Sequence, residues 1–419
     1  MERSGVRSQA ARNRMTPVER TDLDAKGINV AGLTLLLGAL TAFAPFATDL
    51  YLPGLPEIAA SFRTDSGHVQ LSLSVFFLGL AVGQIIYGPL IDRLGRRLPL
   101  LIGVAIFTVT SFLIAFAPTI EAFVGLRLLQ GLSGCAGMVV GRAAVRDLFD
   151  ERETARVFSM LITVIGIAPI VAPVLGGYVL TVSQWPAVFV LLGLFGLVCL
   201  AAAARFLPET LPEDERNSAN LGSIVMTYLR LASCRAFILP ALVGSFAFGG
   251  LFSFISGSSF VFIEIYGLSE QHYGWLFGIV AAALMVGAQV NRALLKTLEP
   301  RTVFAIGIAV SIAAAIALNL AVATGSLVLV VMALWAIVGV IPLISTNAMA
   351  IAMAQSRGNA GSASALLGLL QFGTAAIVSA VISTIHNDTA YPMSGAILGC
   401  GIVAGILLVV FRMTEKNRR

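Results

Sequence analysis

The sequence predicts an all-α membrane protein: twelve transmembrane helices in two six-helix bundles, with both termini in the cytoplasm. Three observations carry this expectation. Of 419 residues, 58% are hydrophobic and 12% charged, with a mean hydropathy of +0.92; an ordinary soluble chain carries about 25% charged residues. The apolar residues fall into runs long enough for the ~20 residues that cross a hydrocarbon core. A polar stretch near the middle divides those runs six and six.

The first six runs cover 29–59, 68–92, 98–117, 119–148, 155–181 and 185–206, so 29–206 forms the N-terminal bundle. The second six cover 235–265, 271–296, 301–323, 326–354, 360–385 and 391–412, so 235–412 forms the C-terminal bundle. Residues 1–28 lack an apolar core of their own, which argues against a secretory signal and for a disordered cytoplasmic tail. Between the bundles lies 207–234, "LPETLPEDERNSANLGSIVMTYLRLASC", a cytoplasmic linker. Within it, Leu221 to Leu231 can lie along the membrane surface as a short amphipathic helix. Residues 413–419 form a second cytoplasmic tail.

Lysine and arginine set the orientation. With these spans, one side holds both tails, Arg93, Arg96 and Arg97, the run from Arg142 to Arg156, and Arg205 to Arg235. It also holds Arg292, Lys296, Arg301 and Arg357, whereas the other side has Arg63 alone. The positive-inside rule makes the crowded side cytoplasmic, in a multi-pass protein of the cytoplasmic (inner) membrane. The net charge of +5 follows from this topology and from anionic lipid, and does not indicate nucleic acid.

Cys135, Cys199, Cys234 and Cys400 form no CxxC pair, so neither a disulfide nor a metal site is expected. His68, His272 and His386 fall at outer ends or loops, which argues against a histidine relay through the membrane. A shift of 204 residues lays Gly83 on Gly287, Leu90 on Leu294 and Arg97 on Arg301. Six plus six spans with a central linker is the layout of transporters built from two related bundles. That layout predicts a midplane cavity lined mainly by the first, fourth, seventh and tenth helices.

Asp49 stands inside the first apolar run, among Pro45, Pro53 and Pro56. A charge at mid-bilayer costs about 2.5–3.5 kcal/mol on insertion scales, so it tends to have a purpose. Pro53 cannot donate to the carbonyl of Asp49, and Pro45 frees that of Thr41; such carbonyls are tolerated beside protein or a wet cavity. Arg127 in "GLRLLQGLSG" lies at a similar depth from the same surface, and opposite charges at matched depth can partner each other. Asp49 and Arg127 are therefore the candidate buried acid and base, and would be the proton-coupling pair of a proton-driven transporter. The plainer alternatives are an interfacial Asp49 and an Arg127 that snorkels to the outer headgroups.

Gln130, one turn beyond Arg127, extends that polar face. With Asp49 it belongs to a candidate substrate cavity that also includes Phe248, Asn347 and Gln371. Helix–helix hydrogen bonding explains Asn347 and Gln371 equally well, and most phenylalanines near Phe248 read as packing. Glu264 closes the seventh run, where a wet helix terminus accounts for it.

"GPLIDRLGRRLPL" joins the second and third runs. Gly88 and Gly95 permit close approach and a tight turn, and Asp92 sits beside Arg93, Arg96 and Arg97. Acid and fork-shaped cations favour a cluster that can form and break at a moving interface; a generic basic loop is the alternative. "IGIAPIVAPVLGGYVL" in the fifth run carries Pro169, Pro173, Gly176 and Gly177, and a kink is expected there.

These motifs resemble the major facilitator superfamily and, within it, the Bcr/CflA drug-efflux group of bicyclomycin-resistance-like exporters, over about 30–410. "TDLYLPGLP" looks like the group's first-helix signature. "GQIIYGPLIDRLGRR" matches the superfamily's second-to-third loop motif, and "RLLQGLSG" is similar to its fourth-helix motif. "FVFIEI" and "ISTNAMA" look like the bicyclomycin-type branch. The fifth-helix antiporter motif is matched in part: Pro173, Gly176 and Gly177 fit, but Ala172 stands where the family often has glycine. The resemblance implies proton-coupled export of small amphipathic compounds or antibiotics by alternating access, driven by the proton gradient with no cofactor, in a monomer. It also implies a cytoplasmic gate of Gly88, Asp92, Arg96 and Asp147, with Asp147 accepting from Arg96.

Export of an endogenous metabolite such as an amino acid or a sugar is the alternative on the same fold. A polytopic enzyme would need paired acids or a His/Cys cluster, which the spans do not offer. A channel would need rings of repeated charge, which are absent from the sequence.

Overall fold

A computed structural model describes residues 30–149, 151–216, 221–356, 360–385 and 387–416. The expected tail 1–28, Arg357, His386 and the last three residues lie outside these. Among the described residues, eleven helices are long and apolar enough to cross a membrane, and one bent pair supplies a twelfth span.

That bent pair is the first span. It runs as Val30–Thr41 and Phe43–Asp49, then a 3-10 turn Leu52–Gly54, then Leu55–Phe62, with a bend of 44° near Ala42. Both interruptions fall where a proline removes the donor for a carbonyl four residues back. Pro45 leaves Thr41 unserved and Pro53 leaves Asp49 unserved, and the two helical pieces end at those residues.

The second to sixth spans are Ser66–Leu94, Arg97–Ala115, Ile120–Leu148, Glu151–Val182 and Pro186–Phe206. Asp65 caps the second span by accepting from the His68 backbone N–H at 2.9 Å. The same span stops at Gly95, whose φ of +88° suits glycine and few other residues. The linker helix, Leu221–Ser233, forms where an amphipathic helix was expected.

The seventh span is Arg235–Ser259, prolonged by a π-helical turn Phe260–Ile265. The eighth to twelfth spans are Glu270–Leu294, Pro300–Thr324, Leu327–Met353, Ala360–Thr384 and Tyr391–Lys416. Boundaries differ from the apolar runs by a few residues, because helices extend past hydrocarbon until a cap or glycine stops them.

Packing inside each bundle repeats. A Cβ added to Gly83 of the second span would come within 2.6 Å of the Cβ of Cys135 in the fourth. One added to Gly287 of the eighth would overlap the carbonyl of Gly339 in the tenth. Both members of the pair are displaced by 204 residues, the offset visible in the sequence. Small residues at these crossings let the backbones meet, which drives helix association where no hydrophobic force operates.

Two broad contacts join the bundles: the second span against the eleventh, and the fifth against the eighth. Along the first of these, Ser74 donates to Ser379 at 2.9 Å and Ser383 donates to the Gly67 carbonyl at 2.6 Å. Along the second, a Cβ on Gly177 would stand 2.7 Å from the Glu270 carbonyl. Ser66 also donates to Glu264 at 2.8 Å, so the bundles are tied together at the end opposite the arginine clusters.

Candidate functional site

Arg127 is wholly buried. Its Nη1 donates to Gln130 Oε1 at 2.5 Å, and Gln130 Nε2 donates to Ser111 at 2.7 Å. The guanidinium lies 4.4 Å from the Tyr51 ring centre and 4.2 Å from that of Phe76. A desolvated cation over an aromatic face gains about 2 kcal/mol, which offsets part of the burial cost. Nε and Nη2 have no hydrogen-bond partner among the described residues.

Asp49 is 2% exposed, and its Oδ1 has no partner either. The expected pairing of Asp49 with Arg127 is therefore corrected: no ion pair between them occurs among the described residues. The reason lies in the broken helix. Asp49 ends the helical piece before the break and Tyr51 lies in the turn after it, and it is the Tyr51 ring that covers Arg127. The 3-10 turn that follows Asp49, Leu52–Gly54, packs against the seventh and eighth spans. Next to Asp49, the Leu50 carbonyl meets Gly176 of the fifth span. The acid thus stands close to where the two bundles meet, and the base inside the N-terminal bundle.

At the arginine-rich end, Arg96 donates from Nη1 to Asp92 at 2.6 Å and from Nε to Asp147 at 2.9 Å. Burial disfavours the charge of Arg96, but the bonds to Asp92 and Asp147 outweigh it and hold the guanidinium above its ordinary range. Two linker residues that sequence reasoning missed complete the cluster. Glu209 accepts from the backbone N–H groups of Arg96 at 2.7 Å and Arg97 at 3.2 Å, at the start of the third span. Thr210 donates to Asp147 at 3.0 Å. Their signal was position: an acid and a hydroxyl just past the end of the sixth span. Gly88 is not part of this knot, and a Cβ added to it would stand 3.9 Å from the Tyr228 hydroxyl.

The fifth span stays helical over Glu151–Val182 with Pro169 and Pro173 inside it. Here the small residues serve contact. Gly176 receives the first span, Gly177 the eighth, and Gly274 of the eighth fits against the Pro173 carbonyl.

Between the bundles, at the arginine-rich end, lies a cavity of about 540 Å³. The second, fourth, fifth, tenth and eleventh spans and the linker helix line it. Of the first, fourth, seventh and tenth helices, the fourth and tenth line this cavity. The five candidate cavity residues do not line it in this conformation. Asp49 and Gln130 are placed as above. Asn347 donates to Asn291 at 2.9 Å, helix to helix within the C-terminal bundle. Phe248 packs on Phe252 at 6.1 Å, and Gln371 is half-buried. Polar residues in apolar helices can serve packing as well as cargo, and spacing alone does not separate the two.

A helical membrane protein of two six-helix bundles, with a cavity between them, is a transporter by architecture. The Major Facilitator Superfamily model matches residues 37–380, and the chain belongs to that superfamily of transporters, which are not enzymes. It is 37% identical over 388 residues to an uncharacterized MFS-type transporter, YdgK, of Bacillus subtilis, covering 92% of this chain and 96% of the relative. A bicyclomycin resistance protein homolog of Haemophilus influenzae is 31% identical over 390 residues, covering 91% and 96%. Among solved structures, a D-xylose–proton symporter superposes with a TM-score of 0.70 at 13% identity, over 90% of this chain and 96% of that one.

Proposed function

We propose that this transporter is a proton-coupled exporter of small amphipathic compounds, antibiotics among them, working by alternating access in the cytoplasmic membrane. The observation that carries the reading is Asp49: a carboxylate 2% exposed, with an unpartnered oxygen, at a proline-made break beside the contact between bundles. A buried acid without a counter-ion is costly to charge unless water or a cation reaches it. Separation of the bundles at that point would wet Asp49 and let its proton exchange; closure would seal it again. Arg127, confined among Tyr51, Phe76 and Gln130, would act through Tyr51 and the broken helix and not by direct contact.

The crowding of lysine and arginine at one end supports placing that end in the cytoplasm. The Arg96 cluster joins the second-to-third loop to the fourth span and the linker, and we assign it the role of a cytoplasmic latch. The relative named for bicyclomycin resistance supports an antibiotic cargo. Proteoliposomes loaded with a fluorescent dye and given an imposed pH gradient test the reading. Uphill dye movement that collapses with a protonophore is expected; movement indifferent to the gradient would contradict it.

A further inference from the structure

Arg142 lies six residues before the end of the fourth span, about 9 Å along the helix. It lines the cavity between the bundles. Two contacts fix its guanidinium: Nε donates to the Met138 carbonyl at 3.1 Å, and Nη2 donates to Gln84 Oε1 at 3.3 Å. Gln84 is itself held in a notch on the eleventh span, since a Cβ on Gly368 would come within 2.7 Å of it. Nη1 bonds to no described residue, and among the described residues no carboxylate pairs with Arg142.

The charges around the cavity are unequal. Among the described residues, Arg93, Arg142 and Arg146 line it against one carboxylate, Asp92, whose Oδ1 is already taken by Arg96 at 2.6 Å. Phe158, Tyr228, Met349 and Met353 line the same cavity. A volume near 540 Å³ suits a drug-sized molecule, and methionines adapt to varied apolar shapes. A cation held this far from the helix end, without an internal counter-charge, calls for one from outside the chain.

We infer that the cavity recognises cargo bearing an anionic group, a carboxylate or its like, with Arg142 as its partner and the methionine wall taking the apolar part. This rests on the reading of the chain as an exporter and names the cargo class of its inward cavity. Arg142 would supply Nη1, and a carboxylate would bind it by a charge-assisted hydrogen bond. Asp49 would remain the proton site, so cargo and proton would use different residues.

The test is binding alone, with no gradient, so its failure is separable from failure of the exporter reading. Purified protein in detergent is titrated calorimetrically with 1-naphthaleneacetate and with 1-naphthaleneacetamide, which differ little beyond the charge. The acid should bind about 10-fold or more tightly than the amide, as a charge-assisted bond requires. Arg142→Gln should bind both at the amide's affinity, and the unchanged amide affinity would report an intact cavity. Arg142→Lys should keep part of the preference. Equal affinities in the wild type, or an undiminished preference in Arg142→Gln, would overturn the inference. So would loss of acid binding on adding phosphatidylglycerol, which would assign Arg142 to a lipid headgroup. Selective acid binding by a protein that moves no protons would support the inference while refuting the antiport.

Discussion

The guanidinium of Arg127 lies 4.4 Å from the centre of the Tyr51 ring, and Tyr51 in turn shares a 2.9 Å hydrogen bond with Ser72. The fourth span is tied in this way to the broken part of the first and to the second. A change in the tilt of the first span must therefore be felt at Arg127, although Asp49 does not touch it.

Stability should reflect how few bonds this cation has. Gln130→Leu removes the bond to Nη1 and leaves the buried guanidinium one partner fewer, at a cost of about 1.5–3 kcal/mol. Pairing it with Arg127→Leu should recover most of that loss, because charge and partner leave together. Thermal unfolding of the purified variants measures both. A double variant no more stable than Gln130→Leu would show that Arg127 contributes through something other than this bond.

The Arg96 cluster predicts a split between binding and transport. Arg96→Ala releases Asp92 and Asp147 together, two charge-assisted bonds of ~1.5–3 kcal/mol each before compensation. Transport should fall about 10-fold or more, since even one such bond biases a two-state equilibrium that far. Substrate affinity in detergent should stay close to that of the wild type. A folded Arg96→Ala that binds no substrate would place Arg96 in the binding site and not in a latch.

Much of this was legible in the chain. The twelve spans follow from apolar runs, the breaks at Thr41 and Asp49 from Pro45 and Pro53, and the paired crossings from an offset of 204. The Asp92–Arg96 pair was readable too, being i,i+4 at a helix end. The partners of Asp49 and Arg127 were not. Depth along a helix can be counted from sequence, but the direction a side chain faces after a helix break cannot. The cavity was equally hidden. Its wall mixes five spans with Tyr228 of the linker, and no local pattern marks residues that meet only after two bundles close at one end.

Asp65 gives a pH dependence of known sign. Its carboxylate accepts from the His68 backbone N–H and also meets the His68 ring; the backbone bond is the main cause holding it below the usual carboxylate range. A depressed carboxylate adds stability above its unfolded value of about 3.9 and loses it as pH falls through the lower folded value. Asp65→Ala should cost about 1 kcal/mol near neutral pH, the usual worth of such a cap. The gap from wild type should close below about pH 4. A gap that stays constant to pH 3 would show that the cap's charge is not what matters.

Orientation is open to a direct check. With the arginine-rich end in the cytoplasm, a cysteine at position 388 should react with an impermeant maleimide added to intact cells, and one at 214 should not. Both would be placed in a background with the four native cysteines replaced. The reverse pattern would invert the topology and, with it, the roles given to the two ends.

The central claim is that Asp49 is the carboxylate at which the proton exchanges. It is most directly tested by adding substrate to purified protein in weakly buffered detergent and following the pH of the medium. The wild type should release protons on binding, and a folded Asp49→Asn should release none. Arg127→Leu should release fewer, through the displaced Tyr51 and the first span. Undiminished release from a folded Asp49→Asn that still binds substrate would contradict the account, and would move the search to Glu264, the acid bonded to Ser66 across the bundles at 2.8 Å.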